Sequence, residues 1–175
     1  MKEWLGTAAR LVTGGVWIWA ALLKLPDPDQ SVLAIRAYEL LPGDSATPVG
    51  HLLPILELVV GLCLVVGLLT RGSAVISGVL FIAFIVGIAS VWARGITIDC
   101  GCFGGGGYDP DAASAYPWEI ARDVGLLALS AYLVWQGRSR LALDSVLFPQ
   151  RSDTDPDADA DLELDLTDDD QHSGV

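Results

Sequence analysis

Apolar residues in this chain come in runs of about twenty, and short polar segments rich in proline and glycine separate them. Residues 73 to 93, SAVISGVLFIAFIVGIASVWA, hold no charge at all. A hydrocarbon core of about 30 Å needs roughly 20 apolar residues in a helix, so this run predicts a membrane span. Residues 51 to 69 carry one acid, Glu57, and residues 5 to 23 carry one base, Arg10; both also read as spans. Residues 117 to 136 hold Glu119, Arg122 and Asp123 in their first half and a strongly apolar second half, and predict a fourth span, with an interfacial helix as the alternative. The expected fold is all-α: a polytopic membrane four-helix bundle over residues 1–140, followed by a disordered acidic tail over 141–175.

Composition agrees with the pattern. Hydrophobic residues make up 52% of the 175, and the mean hydropathy is +0.48, which suits a membrane protein better than a water-soluble domain of this size. The first run is long for the apolar core of a signal peptide and no clear small-residue cleavage site follows it, so it is expected to stay as helix one. The formal charge of −12 is unevenly placed: ten of 22 acidic residues follow Arg151, leaving 12 acids against 10 bases in the first 151 residues. The tail has no aromatic residue and few large apolar ones, and cannot bury enough surface to offset ordering entropy. Nothing in this distribution suggests nucleic-acid binding.

Four spans put Lys2, Arg10, Arg71, Arg138, Arg140 and Arg151 on one side and Lys24, Arg36 and Arg94 on the other. The positive-inside rule then predicts both termini and a short turn at Thr70-Arg71-Gly72 on the cytoplasmic side, and outward loops at 24–50 and 94–116. Trp4 and Trp135 are expected at the inner interface, Trp92 and Trp118 at the outer one. In the first outer loop, residues 31 to 43 predict a short amphipathic surface helix with Leu33, Ala37, Leu40 and Leu41 on one side. Pro42, Gly43 and Pro48 are expected to break the chain before helix two. Ser73 with Ser77, and Ala83 with Gly87, are small residues four apart that suit helix packing.

The second outer loop carries the most informative stretch, Asp99-Cys100-Gly101-Cys102-Phe103 followed by four glycines. Two cysteines one residue apart, facing an oxidising compartment, are placed to exchange between dithiol and disulfide. The tight ring favours a labile bond, and the glycines offer backbone freedom and access for a partner's thiolate. Half of a zinc site, a bridge to another chain and an inert structural disulfide are competing readings. The soft ligands outside the loop are His51, His172 and Cys63, and Cys63 reads as packing within helix two. Lys24 or Arg94 would favour a thiolate, and Asp99 would oppose it.

Glu57 is an acid inside a span and therefore a functional candidate. Counted from residue 51 it lies about 9 Å down helix two, and Arg122 lies about 7 to 8 Å below Pro117. These depths predict a Glu57–Arg122 pair beneath the cysteine loop, with Lys24 and Asp123 as supporting charges.

Gly15 and Lys24, Tyr38-Glu39-Leu40-Leu41-Pro42, Leu53-Pro54 with Glu57 and Gly61, Cys100-Gly101-Cys102-Phe103-Gly104 and Arg122-Asp123 together resemble the MauE family of methylamine-utilisation membrane proteins, within the wider DoxX-like group. The resemblance runs from about Leu5 to Gly137. It implies four membrane helices, work with a thioredoxin-like partner in disulfide formation or transport of reducing equivalents, a part in methylamine dehydrogenase maturation, and Cys100 and Cys102 as the redox pair. Electrons leaving such a pair need an acceptor, and a quinone between helices near Trp17, Trp19, Phe103 and Trp118 is the natural candidate, although no quinone motif is visible. The alternatives are a non-catalytic scaffold or chaperone for a redox partner, and a small-solute transporter built on Glu57 and Arg122.

Overall fold

The computed structural model describes residues 2–136; the acidic tail lies outside them. The chain is predominantly helical, in the order α1 (Lys2–Lys24), α2 (Pro28–Ala37), α3 (Ala46–Val66), α4 (Thr70–Arg94), a two-stranded antiparallel ribbon of β1 (Ile98–Asp99) and β2 (Gly107–Tyr108), and α5 (Tyr116–Gln136). Three helices, Trp4–Lys24, Ala46–Val66 and Thr70–Arg94, are long and apolar enough to cross a membrane. The four long helices touch in a closed ring, α1 to α3, α3 to α4, α4 to α5 and α5 back to α1. Their outward faces are rich in exposed Leu, Ile and Val, as expected where the solvent is hydrocarbon.

The interior is small or polar rather than uniformly apolar. At the α1/α3 crossing a β-carbon on Gly14 would meet the Gly61 carbonyl at 2.9 Å, and one on Gly61 would meet the Gly14 carbonyl at 2.9 Å. Only two facing glycines allow backbones this close. Trp17 donates to Ser77 at 2.7 Å, Ser77 and Ser130 share a hydrogen bond of 3.0 Å, and Ser130 donates to the Leu126 carbonyl, tying α1, α4 and α5 together. Arg10 is buried, and its guanidinium donates to the Leu64 and Val65 carbonyls at 2.9 and 3.1 Å. It thereby meets C-terminal carbonyls of α3, whose dipole favours a cation.

Several sequence expectations shift. Helix α3 begins at Ala46, five residues before the expected start, because Pro48 falls in its first turn, where a missing N–H costs nothing. Thr70-Arg71-Gly72 opens α4, and the turn is at Gly67–Leu69. The surface helix α2 exists but buries Ser31, Val32 and Ala34, while Leu33, Leu40 and Leu41 are exposed. Ser73 and Ser77 do face inward; of the second pair, Gly87 is buried against the Tyr38 ring and Ala83 is exposed. Trp4, Trp92, Trp118 and Trp135 are all exposed at helix ends.

Candidate functional site

The segment between α4 and α5 is a folded cap, not a loose loop. Tyr116, buried at the start of α5, accepts a hydrogen bond from the Ile98 amide at 2.8 Å, and its hydroxyl lies 3.0 and 2.9 Å from the Ile96 and Ile98 carbonyls. From the other side, the Tyr38 hydroxyl donates to the Cys100 carbonyl at 2.9 Å. The Asp99 carboxylate accepts the Gly101 amide at 2.8 Å and closes the turn. Glycine is required here on two counts. Gly101 has φ +66°, and a β-carbon on it would sit 2.7 Å from that of Ala34; at Gly106 the corresponding approach is 2.5 Å. The glycines at 101 and 106 therefore let the cap lie flat on α2.

Cys100 and Cys102 are both free thiols, the first half-buried and the second buried. The Cys102 amide donates to the Cys100 sulfur at 3.3 Å, so the turn wraps around that atom. The Cys100 thiol itself points at Glu119, 3.2 Å from Oε1. Interaction with Cys102 pushes the Cys100 thiol above the ordinary range, and burial and the Glu119 charge push the same way. Burial, then the nearby Cys102, Cys100 and Glu119, likewise raise the Tyr38 phenol. Two thiols on one turn can give up two electrons and two protons as a disulfide.

Beneath the cap the charges pair differently from the sequence expectation. Lys24 Nζ is 2.6 Å from Glu57 Oε1, with both side chains buried, and lies 5.5 Å from the centre of the Phe84 ring. Arg122 pairs with its own neighbour Asp123, at 2.9 Å from NH2 and 3.0 Å from Nε, and covers the Phe103 ring at 4.5 Å. The predicted Glu57–Arg122 pair is thus replaced by two separate pairs. Lys24, the last residue of α1, takes Glu57, and Asp123, the neighbour of Arg122 on α5, takes the guanidinium, so neither charge is left for a direct cross-helix pair. The Lys24 charge also acts on Asp123, so the two pairs adjoin. Among the described residues Glu57 Oε2, Asp123 Oδ2 and Glu119 Oε2 are buried without a hydrogen-bond partner.

Other candidates separate. Arg94 serves the Tyr38 carbonyl and Glu39, at 3.8 Å from the latter, and does not face the cysteines. His51 holds Thr47 and Asp29. Cys63 lies near the end of α3 remote from the cap. Trp19 meets Phe103 at 6.0 Å, but Trp17 turns into the core against Phe81 and Phe84, so the four aromatics suggested for a quinone do not line one space. Glu119 is the residue that sequence reasoning passed over. It looked like one of three charges flanking a span, and only the fold of the cap brings it to Cys100.

A family model described as "Methylamine utilisation protein MauE" matches residues 2–136. Two proteins named methylamine utilization protein MauE are similar to this chain. The one from Methylophilus methylotrophus is 40% identical over 84 residues, 47% of this chain and 44% of that protein. The one from Paracoccus denitrificans is 34% identical over 100 residues, 57% of this chain and 54% of that protein. The chain thus aligns with about half the length of these curated relatives. No solved structure matches. The matched region takes in every helix described above together with the cysteine cap, and the chain, a membrane protein, belongs to the MauE family.

Proposed function

We propose that this protein is a membrane thiol–disulfide relay that exchanges reducing equivalents with a thioredoxin-like partner through Cys100 and Cys102. All four long helices cross the bacterial plasma membrane, both termini are cytoplasmic, and the cap faces outward. The family match and the names of its relatives support a wider role in methylamine utilisation. The observation that carries the reading is the cap itself: two thiols on one turn, the Cys102 amide on the Cys100 sulfur at 3.3 Å, held at the mouth of the helices by Tyr38 and Tyr116. A fixed pair keeps the geometry of attack and resolution constant between turnovers.

In the exchange, a thiolate on one protein attacks a disulfide sulfur on the other, a mixed disulfide forms, and the remaining cysteine resolves it. Equilibrating membranes against defined thiol–disulfide buffers and reading thiol alkylation by mass tests this. A reversible couple between about −120 and −270 mV, the range of catalytic oxidoreductases, is expected. A pair that never oxidises, or a disulfide still intact well below about −300 mV, would leave a structural or scaffolding role for the cysteines.

A further inference from the structure

We propose that Glu119 is the proton acceptor and donor for Cys100, which makes Cys100 the sulfur that attacks the partner. The inference rests on the relay reading and adds to it a catalytic group and a direction of attack.

The geometry divides the work around one sulfur atom. The Cys100 thiol points at Glu119 Oε1, 3.2 Å away, and the same sulfur receives the Cys102 amide at 3.3 Å. One contact can take the proton, and the other stabilises the negative sulfur that remains. Cys102 has neither arrangement: it is buried, and its thiol faces the Cys100 carbonyl at 4.0 Å and the Cys100 side chain, with no carboxylate at hydrogen-bond distance among the described residues.

Glu119 is also kept available. Arg122, one turn further along α5, would be its natural ion partner, but the guanidinium is held by Asp123 through two nitrogens and lies over Phe103. Lys24 is held by Glu57. The Glu119 Oε2 atom has no hydrogen-bond partner among the described residues. The groups that face this centre are therefore Tyr38 from the segment after α2, Asp99 and Cys102 from the cap, and Arg122 and Asp123 from α5. Of these, only the Cys102 sulfur also interacts with the Cys100 thiol side chain to side chain, and Glu119 supplies the one carboxylate oxygen at hydrogen-bond distance from it among the described residues.

The step balances with a protein disulfide as co-reactant. The Cys100 S–H bond breaks and its proton passes to Glu119. The thiolate bonds to one partner sulfur, the partner's S–S bond breaks, and the departing sulfur recovers the proton from Glu119. Cys102 then bonds to Cys100 and releases the second partner sulfur, which takes the Cys102 proton. The pair is oxidised by two electrons and the partner disulfide is reduced by two, with two protons transferred.

A carboxylate beside a thiol has two opposite effects, which makes the test two-sided. As a bare charge it repels the thiolate, so Glu119→Gln would speed Cys100. As a proton acceptor it lets a thiolate beside a protonated carboxyl form below the thiol's own titration, so Glu119→Gln would slow Cys100. The assay follows iodoacetamide labelling of Cys100 against pH, by peptide mass spectrometry, in the full chain in membranes with Cys102→Ser. With Glu119 present the rate is expected to flatten into a shoulder on the acid side. Glu119→Gln is expected to remove the shoulder and to react at least about tenfold more slowly near pH 6, a threshold set below the roughly hundredfold or more that a positioned acid–base group typically contributes.

An equal or faster rate in Glu119→Gln overturns the proposal. Should that variant fail to fold, judged by altered labelling of Cys63, the parent profile still decides: an unbroken tenfold fall per pH unit without a shoulder also overturns it. Neither readout needs a partner or a particular potential. A shoulder beside an irreversible cysteine couple would refute the relay alone, and a reversible couple without a shoulder would refute Glu119 alone.

Discussion

Breaking the Lys24–Glu57 pair should destabilise the protein far more than breaking any exposed charge pair. Both side chains are inaccessible, the contact is 2.6 Å, and Glu57 Oε2 is already without a partner among the described residues. Removing one member leaves a charge that the interior cannot solvate, at a cost of about 3–5 kcal/mol. That corresponds to roughly two to nearly four orders of magnitude in the folding equilibrium, at about 1.4 kcal/mol for each factor of ten. Lys24→Met and Glu57→Leu should each show this loss in reversible detergent-titration unfolding. The double variant should recover most of it, because two apolar side chains replace a pair whose attraction chiefly offsets its own desolvation. A parallel cycle on Glu57 and Arg122 should show a smaller coupling than the Lys24–Glu57 cycle, since those two touch only through the adjoining Lys24 and Asp123. If the Lys24 and Glu57 losses simply add, or if Glu57 couples to Arg122 instead, the assignment of pairs fails.

Other consequences are sharper at single positions. Gly106→Ala should destabilise the cap by about 1–3 kcal/mol through overlap with Ala34, and Ala34→Gly should restore part of this in thermal unfolding. Gly101→Ala should behave alike, and in both the rescue by Ala34→Gly stays partial because the positive φ, +66° at Gly101 and +123° at Gly106, remains. Tyr116→Phe strips the Ile98 amide of its acceptor, which should cost about 1–3 kcal/mol and raise amide exchange across 96–108. The raised Cys100 thiol and Tyr38 phenol fix a pH dependence. Above the unfolded thiol range near about 8.5, the unfolded chain has lost a proton that the folded one keeps, so stability of the reduced protein must fall as pH rises, and fall again near about 10. Cys100→Ser should abolish the first decline and Tyr38→Phe the second; stability that climbs over this range would contradict both shifts.

Much of the helical plan was legible because it rests on run length alone. An uninterrupted stretch such as 73–93 has few alternatives once backbone hydrogen bonds must be met without water. The Cys100-Gly101-Cys102 turn was legible as chemistry because the residue types are rare and adjacent. What failed was one helix start and the choice of ion partners. Pro48 was read as a stop when it occupies the first turn of α3, and Lys24 and Asp123, counted only as supporting charges, are the residues that take Glu57 and Arg122. The surface helix was placed late for a related reason: Pro28 was counted with the stop after α1 when it occupies the first turn of α2, so the helix runs over Pro28–Ala37, Leu40 and Leu41 fall beyond its end, and Leu33 is exposed while Ser31, Val32 and Ala34 pack inward. Glu119 could not be found from spacing, since it stands 19 residues from Cys100 and meets it only because the cap folds back over the start of α5.

That folding-back explains where this protein tolerates unsatisfied polarity. Through the middle of the helices the Trp17–Ser77–Ser130 chain is closed donor to acceptor, and at one end Arg10 meets the terminal carbonyls of α3. At the other end, beneath and beside the cysteines, three carboxylates stand with two cations, and each carboxylate keeps one buried oxygen without a partner. Buried carboxylates short of partners are costly, and nothing in the packing of the four long helices requires them there. Three acids sharing two positive charges are, however, a place where an added proton costs little, and it lies within one hydrogen bond of the sulfur that must release one. A cap built only to seal the helices would need Tyr116, Tyr38 and the glycines; the concentration of incompletely paired acids under it is the feature that a proton-transferring thiol centre accounts for and a passive seal does not.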